Sequence, residues 1–222
     1  MNFKLIFEAL FKYIFGLLIV GLLLFLPGTL SYWQGWLFIG ILFIPMFVLG
    51  IFLMIFNPDL LKRRLNNKEK ESEQKWVLLL SGLMFISGFI VAGLNYRFKW
   101  FILPNIVTWV SSIVFLIFYI LYAEVLRENS FLLRTVEVED NQKLIDTGFY
   151  RLVRHPMYMV TLFLFLSIPL VLGSIISFVI FLIYPFIIIK RINNEEKVLG
   201  RDLKEYKEYQ KKVKYKLIPF IW

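Results

Sequence analysis

An all-α, polytopic membrane helical bundle of about six transmembrane helices, with a C-terminal helical hairpin and an amphipathic tail helix, is the fold this sequence predicts. Three observations predict it. The 222 residues are 59% hydrophobic, with 24 Phe, 11 Tyr and 6 Trp, far above a soluble domain's share. The apolar residues gather in runs long enough to cross a hydrocarbon core of about 30 Å. The basic residues crowd the connections on one side: two at the N-terminus, six in Asn57–Lys75, five in Leu126–Pro156 and ten from Lys190 onward, against only Arg97 and Lys99 on the other.

The first helix begins near Leu5 and continues through the apolar run Tyr13–Leu26, with Lys12 snorkelling to the interface. No small-residue cleavage site follows it, so a retained helix is expected. Pro27-Gly28 ends it. Tyr32, Trp33 and Trp36 form an aromatic belt for a second helix, Trp33–Phe56, which Pro45 is expected to kink. Asn57–Lys75 reads as a polar loop. A third helix is expected over Trp76–Leu94, a turn over Asn95–Trp100 and a fourth helix over Phe101–Val125.

Leu126–Pro156 is the longest polar connection. After it, Met157–Ile189 is 33 residues without a charge. As one helix it would reach roughly 50 Å, too long for the bilayer. Gly173-Ser174 lies at its midpoint, so the run reads as a hairpin of helices five and six. The chain then divides into residues 1–125, an N-terminal four-helix membrane region, and 126–222, comprising loop, hairpin and C-terminal amphipathic helix. In the tail, Leu199, Leu203, Tyr206 and Val213 form a helical stripe, and Leu217–Trp222 is expected to pin the end into the interface.

Charge and composition also exclude classes. The formal charge of +9 sits at the ends of apolar segments, which points to anionic lipid head groups and not to nucleic acid. Absence of cysteine removes thiolate metal sites and cysteine nucleophiles, and no other metal-ligand set is apparent. The basic asymmetry predicts an integral, multi-pass membrane protein with both termini cytoplasmic.

Two polar motifs flank the hairpin: G-F-Y-R-L-V-R-H-P-M-Y at Gly148–Tyr158 and R-I-N-N-E-E at Arg191–Glu196. The hairpin returns both to one membrane face, beside the single histidine, His155. Pro156 suits the first turn of a helix and keeps His155 out of it, near unpaired amides. Arg154, His155 and Tyr158 then cluster at the surface. Arg and Tyr at helix ends are equally ordinary interfacial anchors, and a lone histidine is usually not catalytic. Arg191 and Glu195, four apart, share a helix face, which in isolation is an exposed ion pair worth a few tenths of a kcal/mol. Glu196 projects elsewhere and reads as solvated surface.

At these residues the chain resembles the isoprenylcysteine carboxyl methyltransferase family and the related phospholipid methyltransferases, especially bacterial-type members. The resemblance rests on L-I-D-T-G-F-Y-R-L-V-R-H-P-M-Y, the hairpin, E-E and the closing Y-K-E-Y-Q-K-K-V-K-Y-K-L-I-P, and more loosely on Y-W-Q-G-W and R-E-N-S-F. It makes 126–222 the methyltransferase-like region. It implies S-adenosyl-L-methionine bound on the cytoplasmic side of what would be a bacterial inner membrane, and methyl transfer to a membrane lipid or lipidated acceptor. By the same resemblance Gln142, Lys143, Leu144, Ile145, Tyr150 and the stretch His155, Pro156, Met157, Tyr158 hold the cofactor, joined by Arg154 and Glu196. Arg191 and Glu195 serve the acceptor as the catalytic pair. One departure stands out: Val160 occupies a position where the family commonly has glycine.

Those residue types suit the chemistry. Displacement at a sulfonium depends on orientation and exclusion of water, and no metal is required. Carboxylates and the faces of Tyr150 and Tyr158 suit the positive sulfur. A carboxylate acceptor needs only a cation such as Arg191 to position it, whereas an amine must lose a proton, to Glu195 or His155. Two other readings stand beside this one. An NADPH-dependent sterol or enone reductase shares a similar R-H-P-N-Y, but Met157 replaces its asparagine. A non-enzymatic membrane component would leave the clustering of charged motifs on one face without a purpose.

Orientation is testable at once. Cysteine placed at Ser31 or Gly173 is expected to react with impermeant reagents from outside, and at Ser72 or Asn141 from inside. The reverse labelling pattern would invert the topology.

Overall fold

The structure is a computed structural model that describes residues 3–65, 72–129, 131, 144–203 and 205–222. Among these residues the regular structure is helical: α1 (Phe3–Phe25), α2 (Trp33–Phe56), α3 (Pro58–Leu65), α4 (Ser72–Phe98), α5 (Asn105–Glu128), a 3-10 turn (Gly148–Arg151), α6 (Pro156–Val171), α7 (Ile175–Phe181), α8 (Tyr184–Asp202) and α9 (Tyr206–Lys212). Five stretches are long and apolar enough to cross a membrane: Phe3–Phe25, Trp33–Phe56, Gln74–Phe98, Asn105–Glu128 and Ile175–Asp202. The shorter apolar α6 makes the sixth membrane-level element. The chain is an integral membrane protein.

Its outer surface explains why. Phe7, Phe11 and Phe15 stack along the exposed face of α1, and Ile44, Leu83, Ile113 and Phe186 project from other helices. In water these faces would drive association; against lipid chains they are at home. Inside, Phe38, Phe85, Phe89 and Phe181 pack at ring distances of 5.3 to 6.4 Å and join α2, α4 and α7. The most extensive helix pairing is α5 against α6.

Several boundaries depart from expectation for identifiable reasons. The supposed polar loop after α2 contains α3. Asn57 caps it, its Oδ1 accepting from Leu60 N at 3.1 Å, and Pro58 opens it while Leu60 and Leu61 are buried. Asn-Pro-Asp at a helix start was a readable signal. Helix α5 begins at Asn105, after Pro104, and not at Phe101. Helix α2 continues through Pro45 to Phe56.

The hairpin forms as expected. Leu172–Ser174 makes the turn, with Gly173 at φ +68°, where a side chain would be strained. Ser174 caps α7 through Ser177 N at 3.2 Å, Ser177 Oγ donates to Gly88 O at 2.9 Å, and Tyr32 OH donates to Leu172 O at 2.5 Å. The Tyr32 and Ser174 bonds satisfy groups at the turn that have no helical partner, and the Ser177 bond ties α7 to α4. Because Gly173 is also buried, exposed Ser31 is the better labelling position on that side.

The second arm differs from expectation. It is α7 and α8, interrupted at Leu182-Ile183, and Pro185 sits in the first turn of α8, where its missing N–H costs nothing. Helix α8 then runs unbroken through R-I-N-N-E-E to Asp202. The expected single tail helix is therefore two pieces. The chain breaks at Leu203 (φ −112°, ψ 105°), and seven-residue α9 follows. The break lets Tyr206 and Tyr209 both enter the buried cluster that holds Tyr150, Met157 and Val160. In the tail, Leu217 is buried while Phe220 and Ile221 are exposed, and a turn closes as Leu217 N donates to Trp222 O at 2.9 Å.

Candidate active site

The site begins where α5 ends. Glu128 accepts from Thr147 Oγ1 at 2.9 Å and from Phe149 N at 3.1 Å, fixing the start of the 3-10 turn. Gly148 (φ +43°) lies so close that a Cβ there would stand 2.1 Å from Glu128 Oε1. The turn delivers Tyr150 into the interior. Its hydroxyl accepts from Asn129 Nδ2 at 2.9 Å, and its carbonyl accepts from Tyr209 OH at 2.6 Å. Burial pushes the Tyr150 phenol above its ordinary range, so it acts as a neutral ring and not as a base.

Four residues on, the chain pairs with the tail. Arg154 N donates to Tyr215 O and His155 N to Lys216 O, both at 2.9 Å. The Arg154 guanidinium reaches Glu196 Oε1 at 2.7 Å, Val213 O at 2.7 Å and Lys214 O at 3.0 Å. Lys216 Nζ meets Glu196 Oε2 at 3.0 Å, and Tyr206 OH donates to Glu196 Oε1 at 3.4 Å. Glu196 is thus the hub of a cluster. Its side chain is 11% exposed, which corrects the reading of it as solvated surface. Helical spacing could not show this, because its partners come from the loop and the tail. Of the same cluster, Lys216 carried no individual signal in the sequence, and Tyr206 was legible only as part of the helical stripe.

His155 caps α6 from outside the helical region (φ −125°, ψ 62°) and is buried. Its Nε2 lies 3.3 Å from Glu196 Oε1 and its Nδ1 lies 3.8 Å from Glu195 Oε1. A carboxylate paired with two cations can only accept, so Nε2 carries the proton in that bond. One helix turn on, Tyr158 donates its hydroxyl to Glu195 and accepts from Arg191 Nε at 2.8 Å. The Arg191 guanidinium lies 5.6 Å from the Tyr158 ring centroid, and that ring stacks on His155 at 5.8 Å. The hairpin therefore brings Arg191 and Glu195 of α8 against His155 and Tyr158 of α6, with Tyr158 holding the pair.

These groups line one cavity of about 880 Å³. Leu144, Ile145, Tyr150, Arg154, His155 and Tyr158 border it, as do Pro156, Met157, Arg191 and Glu195. Glu196 stands behind this wall, acting on the cavity through Arg154 and His155. Gln142 and Lys143 lie outside the described residues. Val160, at the family's glycine position, packs with Met157, Tyr150, Tyr206 and Tyr209 and does not reach the cavity. Away from the motifs the cavity runs on between apolar side chains, among them Leu42, Met46, Phe85, Leu164 and Phe165. Among the described residues no group of three or more His, Cys, Asp or Glu could hold a metal.

A membrane-embedded helical bundle with a charged pocket at one end of a hairpin is the class these features define. Residues 109–201 match the profile of the isoprenylcysteine carboxyl methyltransferase (ICMT) family, which supports a membrane methyltransferase in general. The match spans α5, the 3-10 turn, the hairpin and α8, and so includes both motifs. No curated protein sequence matches the chain.

The cluster around Glu196 has a measurable consequence. Glu196→Gln leaves Arg154 and Lys216 without their countercharge and should cost about 3 kcal/mol of stability, read by unfolding in mixed micelles. Glu195→Gln, on the more exposed carboxylate, should cost less than about 1 kcal/mol. Equal effects would show that Glu196 is not the tie between motif and tail.

Proposed function

We propose that the protein is an S-adenosyl-L-methionine-dependent methyltransferase whose acceptor is a carboxylate or amine on a membrane lipid or lipidated molecule. One observation carries the proposal. The Arg191–Tyr158–Glu195 group and His155 stand on the wall of a cavity that continues between apolar side chains at membrane depth. A polar pocket with such an extension suits a reactive head on a hydrophobic body.

The residues present fit the cofactor. Its amino acid and nucleoside parts need polar partners and its sulfonium needs negative or π-rich neighbours, and the cavity offers Glu195, Asn129 and the rings of Tyr150 and Tyr158. When bound, it supplies an electrophilic methyl group on a positive sulfur. The chain does the rest. Leu144, Ile145, Tyr150 and the His155–Tyr158 turn would hold it, with Gln142 and Lys143 preceding them in sequence. Tyr158, fixed between Arg191 and Glu195, sets both side chains before any substrate arrives, which is how orientation lowers the barrier. Arg191 offers a charged N–H edge to an acceptor carboxylate. For an amine acceptor, Glu195 or the Nδ1 of His155 takes the proton. The apolar lining excludes water, strengthening these interactions. With 23 of 25 basic residues on the motif side, the site faces the cytoplasm.

Radiolabel transfer from S-adenosylmethionine into a total lipid and membrane-protein extract tests the activity directly. Absence of any labelled product with folded protein would reject it. His155→Ala and Tyr150→Ala should each weaken cofactor binding more than about tenfold, or about 1.4 kcal/mol, with folding checked by melting in detergent. Unchanged affinity in both would remove these residues from the cofactor site.

Arg191→Lys separates acceptor from cofactor. Turnover should fall at least about a hundredfold, roughly 2.7 kcal/mol, while cofactor affinity stays near normal. A parallel fall in both would assign Arg191 to the cofactor, and a change below about threefold would make it an ordinary ion pair.

A further inference from the structure

Two buried amides stand behind the Arg191–Glu195 pair, one on each of two packed helices. Gln74 lies in the first turn of α4 with a fully buried side chain, and Asn194 of α8 is 7% exposed. Helices α4 and α8 pack against each other, and Val77, one turn on from Gln74, shares a buried apolar cluster with Ile188 and Ile192. Neither amide borders the cavity. Gln74 Nε2 donates to the main-chain oxygen of Arg191 at 3.4 Å. A carbonyl can only accept, so this contact fixes which end of the amide faces α8. Gln74 Oε1 and Asn194 Nδ2 are then a buried acceptor and a buried donor without partners among the described residues.

The two are complementary and stand at one level. Helical side chains lean toward the N-terminus, so Asn194 covers the turn of α8 that begins at Arg191, where the Gln74 amide already sits. An unpaired amide among apolar side chains is costly, and one mutual bond relieves both. The Gln74 bond to Arg191 is long, and a second bond at the other end of the amide is what would steady it. Its target matters too. Arg191 O is the helical acceptor for Glu195 N, so Gln74 grips the peptide that links both members of the pair.

We infer that Asn194 Nδ2 donates to Gln74 Oε1 across the α4–α8 contact, and that these amides position the turn of α8 carrying Arg191 and Glu195. Tyr158 holds that turn from the cavity side and Gln74 holds it from behind. The rotation of α8 about its axis decides which carboxylate meets the cavity, because Glu195 borders it while Glu196 points to the structural cluster. An apolar residue at position 74 would be buried as readily but would fix no rotation. Gln74 lies outside residues 109–201, in the part of the chain that the family match does not cover. The inference rests on the methyltransferase reading for its effect on turnover, and not for the pairing itself.

The test is a cycle of Gln74→Leu, Asn194→Leu and their double variant in the full-length protein, with a swapped variant beside it, Gln74→Asn combined with Asn194→Gln. Methyl transfer from S-adenosylmethionine into the total membrane extract, cofactor affinity and unfolding in mixed micelles are measured on each. Either single replacement should lower transfer about tenfold while cofactor affinity stays within about twofold, and the double variant should fall no further than the worse single. The swapped variant keeps a donor, an acceptor and the combined length, and should recover transfer to within about threefold of wild type. Losses that multiply in the double variant, or a folded swapped variant that recovers no transfer, would overturn the pairing. Unfolding that shifts while transfer does not, or cofactor affinity that falls together with transfer, would overturn the positioning role. Should a leucine variant fail to fold, the swapped variant decides, since it strands no amide. Unfolding of the wild type and the three cycle variants measures the coupling without turnover, expected at about threefold or more in the unfolding constant. A wild type that transfers no methyl group would therefore defeat the methyltransferase reading while that coupling still tests the pair.

Discussion

The structure depends on one carboxylate, Glu196. It gathers Arg154 and His155 from the mouth of α6, Lys216 from the tail and Tyr206 from the start of α9 onto α8. Removing so many charges from water is expensive, and only mutual pairing with backbone carbonyls completing Arg154 makes the arrangement tolerable. That is also why it specifies geometry. Any register in which the tail fails to meet the motif would leave a buried charge unpaired.

From that tie the positions of the candidate site groups follow. Arg154 and His155 are held by main-chain bonds to Tyr215 and Lys216, so the imidazole is fixed from behind and presents its other edge to the cavity. Helix α8 has two duties along its length. Its first turns are apolar and pack in the bundle. Its later turns carry Arg191, Glu195 and Glu196, and successive residues Glu195 and Glu196 point to the cavity and to the structural cluster respectively. A helix advances about 100° per residue, so adjacent carboxylates can serve different neighbours.

The opposite end of the bundle solves a different problem. The turn between α6 and α7 leaves Leu172 O and Ser177 N without helical partners; Tyr32 and Ser174 satisfy them, and Ser177 ties α7 to α4. Closing this end firmly lets the other end stay open as a cavity. Packing of α5 along α6 and of α4 along α7 fixes the hairpin laterally, so the two motifs approach without depending on loop conformation.

The sequence by itself determined that the chain is a membrane bundle, because apolar runs and basic asymmetry act locally through transfer energy and need no partner. It also determined the hairpin, since 33 uncharged residues cannot span a bilayer as one straight helix and Gly173-Ser174 offers the turn. His155, Tyr158, Arg191 and Glu195 were legible as candidate site residues through their motifs, and the hairpin brings them together. Other features were decided only by tertiary structure. Whether Glu196 was surface or hub depended on Arg154 and Lys216, some 42 and 20 positions away and invisible to helical periodicity. The stripe Leu199–Val213 looked like one helix, and the burial of Tyr206 and Tyr209 under Tyr150 broke it into two.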